Sequence, residues 1–172
     1  GVVYVGGENE NGLSNKSYLL KWNAAKKEVE AKVLPDFPFA IANISLTHIG
    51  NTVYAVGGDE AAKSSDFFAS LDLNEANPQW KALPNLPLAL ANAVVIAQKG
   101  KNGVNIYVVG GRTKTASGIS DLHNTTFVFD VKKQIWEAAA TISDGKNSTN
   151  FSAGAGVAVG THSVLIVGGD NG

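Results

Sequence analysis

NIYVVGG, residues 105–111, runs β-branched and aromatic residues straight into a pair of glycines, and the same arrangement returns as GVVYVGG (1–7), TVYAVGG (52–58) and SVLIVGG (163–169). The second glycines of these segments are 51, 53 and 58 residues apart. Each segment reads as a strand closed by a turn. Paired glycines at a strand end permit positive φ and a close approach to a neighbouring backbone, which a Cβ would forbid. A period of this length is the first thing to establish, because it decides the architecture.

Between the glycine marks the same order recurs. A variable polar loop is followed by an apolar strand: SYLLKW (17–22), FFASLDL (67–73) and TTFVFDV (125–131). A short polar turn then leads to a strand near a large apolar residue, Val29, Trp80 or Trp136. Two repeats run on into a proline-bracketed crossing, LPDFP (34–38) and LPNLP (83–87), before a last apolar strand returns to the next glycine pair. Four strands in about 50 residues is one propeller blade.

The glycine pairs, Phe129 ahead of Trp136 with Trp22 and Val29 as a weaker copy, and the Leu-Pro crossings resemble kelch repeats over essentially the whole chain. Two departures stand out. Trp80 sits two residues late, and the third crossing, ISDGKNSTNFSAG (142–154), lacks the prolines. The expected fold is all-β, a kelch-type β-propeller forming a single partial domain over 1–172, with repeat marks at 6–7, 57–58, 110–111 and 168–169. The chain holds about three blade equivalents, roughly half of a six-bladed ring, whereas closed propellers have about 4–8 blades. The remaining blades are therefore expected from the same polypeptide or from a second copy, as a homodimer, because an open array exposes apolar sheet faces.

Composition removes several function classes. Fourteen basic and fifteen acidic side chains leave a net charge of −1, so no electrostatic footprint for nucleic acid exists. The chain has no cysteine, which excludes disulfides, thiolate metal sites, cysteine nucleophiles and copper chemistry of the galactose-oxidase kind. No apolar run reaches the roughly 18 residues of a membrane span. His48, His123 and His162 show no metal-ligand spacing, and each reads as structural, so no metal and no cofactor is expected. The glycine pairs lead to strands rather than helix N-termini, which rules out a phosphate-cradling loop.

In a propeller the loops joining strand four to strand one, and strand two to strand three, open on one face near the central channel. The first set carries PFAIAN (38–43), PLALAN (87–92) and KNSTN (146–150), delivering Asn43, Asn92 and Asn150 to the start of an innermost strand. An amide both donates and accepts, which suits sugar hydroxyls, although an asparagine there also simply closes a turn. The second set starts with Glu8, with Asp59 and Glu60, with Arg112 and with Asp170. These carboxylates are candidates for acid–base work if the channel desolvates them. Arg112 is the chain's single arginine among thirteen lysines, and its guanidinium offers a carboxylate the bidentate fork that lysine lacks.

Within the kelch group the texture is similar to the bacterial N-acetylneuraminate epimerase (sialic acid mutarotase) family, including its cyclically permuted members. AIAN and ALAN after the crossings, ISDLHNTTFVFD (119–130) and VLIVGGDNG (164–172) carry the likeness. The resemblance implies cofactor-independent interconversion of sialic acid anomers, in the periplasm or outside the cell. The resemblance supplies no residue-by-residue match for the site; on the loop topology, Glu60 or Glu8 would move protons, Arg112 would bind the substrate carboxylate, and Asn43, Asn92, Asn150, Asp59 and Asp170 would lie about the sugar. The alternative is a non-catalytic kelch module binding a protein partner or a carbohydrate through the same loops.

Overall fold

The computed structural model describes residues 1–100, 103–143 and 145–172, so Asp144 of the third crossing lies outside the described residues. The architecture is all-β and propeller-like, with four antiparallel blade sheets in chain order and two small two-stranded ribbons among the described residues. The first sheet pairs Val2–Val5, Ser17–Asn23 and Glu28–Leu34. The second is a full four-stranded blade of Ser45–Ile49, Thr52–Val56, Phe68–Asp72 and Lys81–Ala82. The third repeats it with Val94–Gly100, Gly103–Val109, Thr126–Asp130 and Ile135–Ala139. The fourth has Ala155–Val159 paired with Ser163–Val167. About three blade equivalents, read from the sequence, is what forms.

The strands turn where polar side chains close the backbone. Asn23, Asp72 and Asp130 each end a third strand and accept backbone N–H groups two or three residues on. These Asx turns are why a short polar residue recurs there. The N–H groups of Lys133 and Lys132, with the Lys133 ammonium, hold the Asp130 carboxyl below the usual carboxylate range.

Apolar side chains fill the wedges between blades. Tyr54, Val56 and Phe68 of the second blade meet Ile106, Val108 and Phe129 of the third. Phe68 packs edge-on against Phe129 at 4.8 Å and lies 5.1 Å from Trp136, contacts of the kind aromatic pairs favour. Val5, Phe37, Ile41, Ala55 and Ala69 close the first joint, and Val94, Ile96, Val109 and Phe151 the third. The two end sheets leave apolar faces in solvent, with Val2, Trp22 and Val33 on one and Val157, Leu165 and Val167 on the other.

The tryptophans correct one sequence reading. Trp80 Nε1 donates to Pro35 O at 3.1 Å, and Trp136 Nε1 donates to Pro84 O at 2.8 Å. Both indoles therefore bond the first proline of the preceding crossing, so Trp80 is in step and not late. What differs is the preceding turn, where Pro78 supplies no N–H and the fourth strand shrinks to Lys81–Ala82. Trp22 and Val29 are opposite one another in the first sheet but lie on its exposed face, so this pair is not the equivalent of Trp136.

The glycine pairs are the joints. Gly7 N donates to Ile41 O, Gly58 N to Leu90 O and Gly111 N to Phe151 O, each across to the crossing that starts the next blade. All eight glycines have positive φ, between 61° and 111°. A Cβ on Gly57 would stand 2.0 Å from Leu90 O, and one on Gly6 2.2 Å from Ile41 O.

Candidate functional site

Four residues after the close approach at Ile41, Leu90 or Phe151, the chain enters an innermost strand. Two residues after it, the backbone takes a left-handed turn: Asn43 (φ 53°), Asn92 (φ 53°) and Ala153 (φ 56°). Asparagine tolerates this conformation better than most residues, which explains its recurrence at 43 and 92. The third repeat corrects the sequence reading: the equivalent residue is Ala153, and Asn150 lies three positions ahead of it. Without the prolines, nothing in the third crossing marked the offset. The left-handed residues also link the blades, since Asn92 N donates to Asn43 O at 3.0 Å and Ala153 N to Asn92 O at 2.8 Å.

Beside each of these turns lies the residue that follows a glycine pair. Asp59 exchanges both backbone hydrogen bonds with Ala42, Arg112 with Ala91, and Asp170 with Ser152. Glu8, Asp59, Arg112 and Asp170 thus hold one repeat position, one per blade. After it the chain doubles back in a small ribbon, Glu8–Asn9 with Gly12–Leu13 in the first blade and Arg112–Lys114 with Ser120–Leu122 in the third.

The side chains at 59 and 112 meet. Arg112 Nη2 donates to Asp59 Oδ2 and Nη1 to Ser120 Oγ at 3.2 Å. Asp59 also accepts from Asn43 Nδ2 at 2.9 Å on Oδ2 and from Ser64 Oγ at 2.9 Å on Oδ1. Ser64 Oγ in turn accepts from Lys114 N at 2.9 Å. Both charged side chains are withdrawn from solvent, Asp59 to 5% and Arg112 to 18% exposure. A buried carboxylate with a cation and two further donors is a satisfied one. Asp59 is fully occupied by protein.

This network floors a cavity of about 450 Å³, a size typical of small-molecule sites. It is lined by Glu8 of the first blade, Asn43, Asp59 and Glu60 of the second, and Arg112 and Lys114 of the third. Five of the eight residues nominated from the sequence therefore come together. Asn92, Asn150 and Asp170 do not line it, and Asp170 instead accepts from Gly172 N at 3.1 Å. Glu60 has one distant ion pair, 3.9 Å from Lys63.

Sequence reading passed over two residues. Ser64 gives no signal in a serine-rich loop, and Lys114 is one of thirteen lysines; alternation along the ribbon could have found it, because residue 114 points the same way as Arg112. His123 Nε2 lies 2.9 Å from Thr113 Oγ1, which donates to Ala89 O at 2.7 Å, a structural role on the ribbon's other side. Among the described residues no His, Cys, Asp and Glu cluster could hold a metal ion, and no helix is long and apolar enough to cross a membrane.

Known proteins resemble this chain in sequence and fold. The chain is 29% identical over 155 residues to Kelch repeat and BTB domain-containing protein 2 of Cowpox virus (strain GRI-90 / Grishak), covering 79% of the chain and 25% of that protein. It is 30% identical over 142 residues to N-acetylneuraminate epimerase of Haemophilus influenzae (strain PittEE), covering 82% of the chain and 34% of the relative. The chain thus spans about a quarter to a third of the length of these relatives. Among solved structures, YjhT superposes with a TM-score of 0.57 at 21% identity over 72% of this chain and 33% of its own. A fungal alcohol oxidase in complex with copper gives 0.61 at 14% identity, over 84% of this chain and 30% of that one. Both likenesses speak for the propeller fold alone. The family model described as N-acetylneuraminate epimerase matches residues 34–172, from the first crossing to the last glycine pair and beyond. With that match, the chain belongs to the N-acetylneuraminate epimerase family.

Proposed function

We propose that the chain carries part of the site of a cofactor-independent mutarotase that interconverts the α and β anomers of N-acetylneuraminate. One observation carries the reading: residues from three successive repeats, Glu8, Asn43, Asp59, Glu60 and Arg112, converge on one polar cavity.

Opening a pyranose ring asks for two proton movements. A carboxylate removes the proton of the anomeric hydroxyl, the electron pair forms the carbonyl, the bond to the ring oxygen breaks, and that oxygen takes a proton from a second acid. Rotation about the freed bond and the same steps in reverse give the other anomer. Glu8 and Glu60 are the two cavity carboxyls not held by the Asp59 network, and they take the two proton-transfer roles. Asn43 donates its amide to Asp59, so its Oδ1 is left to accept from a sugar hydroxyl. The remaining blades, from the same polypeptide or a second copy, complete the channel. The setting that fits a free sialic acid substrate is the periplasm or the cell exterior.

The test is proton NMR of freshly released α-N-acetylneuraminic acid, followed to the β anomer with and without the protein at a pH where the spontaneous rate is slow. Acceleration is the expected result. Binding without acceleration turns the reading into a carbohydrate-binding propeller. Neither binding nor acceleration leaves the protein-binding module, against which the cavity's lack of an aromatic lining residue already argues.

A further inference from the structure

The residue that anchors a substrate carboxylate need not be the arginine, and the cavity shows why. Arg112 spends Nη2 on Asp59 and Nη1 on Ser120, and its charge is cancelled by a carboxylate it shares with two other donors. Once that pair is set aside, the charges left in the cavity lining are Glu8, Glu60 and Lys114. Two carboxylates would repel an acid ligand. A single cation decides whether one enters and which way round.

Lys114 meets the requirements of that cation. It lies two residues after Arg112 in the strand Arg112–Lys114, so the two side chains share the face turned to the cavity while Thr113 points away to Ala89 and His123. Its backbone is fixed by the bond from its N–H to Ser64 Oγ, which ties it to the Asp59 network across the blade joint. Its side chain is half-buried and has no ion pair among the described residues, whereas Lys63, outside the cavity lining, is 71% exposed and reaches Glu60.

We infer that Lys114 is the carboxylate-binding residue of this site, selecting sugar acids over neutral sugars, and that the Asp59–Arg112 pair is the rigid floor that positions it. This rests on the sugar-acid reading above. In N-acetylneuraminate the carboxylate is borne by the anomeric carbon itself, so an anchor at Lys114 holds the reacting carbon in place for Glu8 and Glu60.

The experiment uses the 172-residue chain, N-acetylneuraminate and its uncharged methyl ester, with dissociation constants measured by titration calorimetry at fixed ionic strength. The native chain is expected to prefer the acid. Lys114→Gln weakens acid binding about tenfold, the loss of one charge-assisted hydrogen bond, and leaves the ester unchanged. Lys114→Arg restores most of the preference, and Lys63→Gln has no such effect. Equal losses for acid and ester, an unchanged acid affinity in Lys114→Gln, or the same loss in Lys63→Gln would each overturn the assignment. An acid that binds through Lys114 with no change in its anomer rate sinks the mutarotase reading and spares the anchor. Acceleration with acid affinity indifferent to Lys114 does the reverse. No acid binding by the native chain sinks both.

Discussion

Gly57 and Gly50 lie in the same hairpin, at nearly the same backbone angle, φ 61° and 59°. They differ in what surrounds them. Substituting alanine at Gly50 puts the new Cβ in open space, so its cost is the left-handed conformation, about 1–2 kcal/mol. Substituting alanine at Gly57 adds a Cβ 2.0 Å from Leu90 O, when carbon and oxygen come no closer than about 3.3 Å even in favourable contacts. The start of the third blade has to retreat by roughly 1 Å, which costs about 1–3 kcal/mol of overpacking in addition. The bond from Gly58 N to Leu90 O, 2.9 Å long, stretches with it and loses about 1 kcal/mol more. The expected total is about 3–6 kcal/mol for Gly57→Ala against about 1–2 for Gly50→Ala. Urea unfolding followed by the fluorescence of Trp80 and Trp136, which lie at the joints, reads the difference. At a typical slope of about 2 kcal/mol per M the midpoints fall by roughly 1.5–3 M and 0.5–1 M. Equal shifts for the two variants would refute the claim that the glycine pair exists for the joint; the backbone angle alone would then suffice.

Two further outcomes follow from the site. Arg112→Met strands the Asp59 carboxylate at 5% exposure and is expected to cost about 3–5 kcal/mol, while the double variant Asp59→Leu with Arg112→Met recovers most of it; additive losses in the denaturation cycle would show that the pair is not coupled. Ala153→Asn places at the third left-handed turn the residue that holds the first two, and is expected to raise stability by about 0.5–1 kcal/mol, or roughly 2–4 °C in Tm; a lowered melting temperature would refute the equivalence of 153 with 43 and 92.

The repeat was legible because it is enforced by backbone geometry. Every glycine read as a strand-end mark has positive φ, and the third strands, expected at 17–22, 67–73 and 125–131, form at Ser17–Asn23, Phe68–Asp72 and Thr126–Asp130. Where geometry is carried by other residues, the sequence misled. Asn150 looked like the third member of a series because it is an asparagine, but the position is defined by its turn, and Ala153 makes that turn without the residue that favours it. Trp80 looked late because the count ran through a turn that Pro78 had altered, while its indole bond to Pro35 keeps the register. The engagement of Arg112 by Asp59 was not legible at all. The two are 53 residues apart, and what makes them neighbours is the pitch of one blade, which fixes no side-chain pairing in advance.

That pairing bears on how such a site changes its chemistry. The second and third blades fix the same backbone: a glycine pair against a carbonyl of the next crossing, a left-handed residue two positions on, and a residue after the glycines held by two backbone bonds to the chain beside the turn. The backbone bonds themselves do not depend on the side chain at that position, which is glutamate at 8, aspartate at 59, arginine at 112 and aspartate at 170. At 59 and 112 adjacent blades bring these side chains together and their charges cancel, whereas Glu8 has no ion pair among the described residues. A net unpaired charge in the cavity therefore depends on neighbours a full repeat apart. An isolated change at 59 or 112 alters the residue beside it as much as the residue replaced, whereas the Lys114 side chain, two residues along the ribbon, has no ion pair among the described residues.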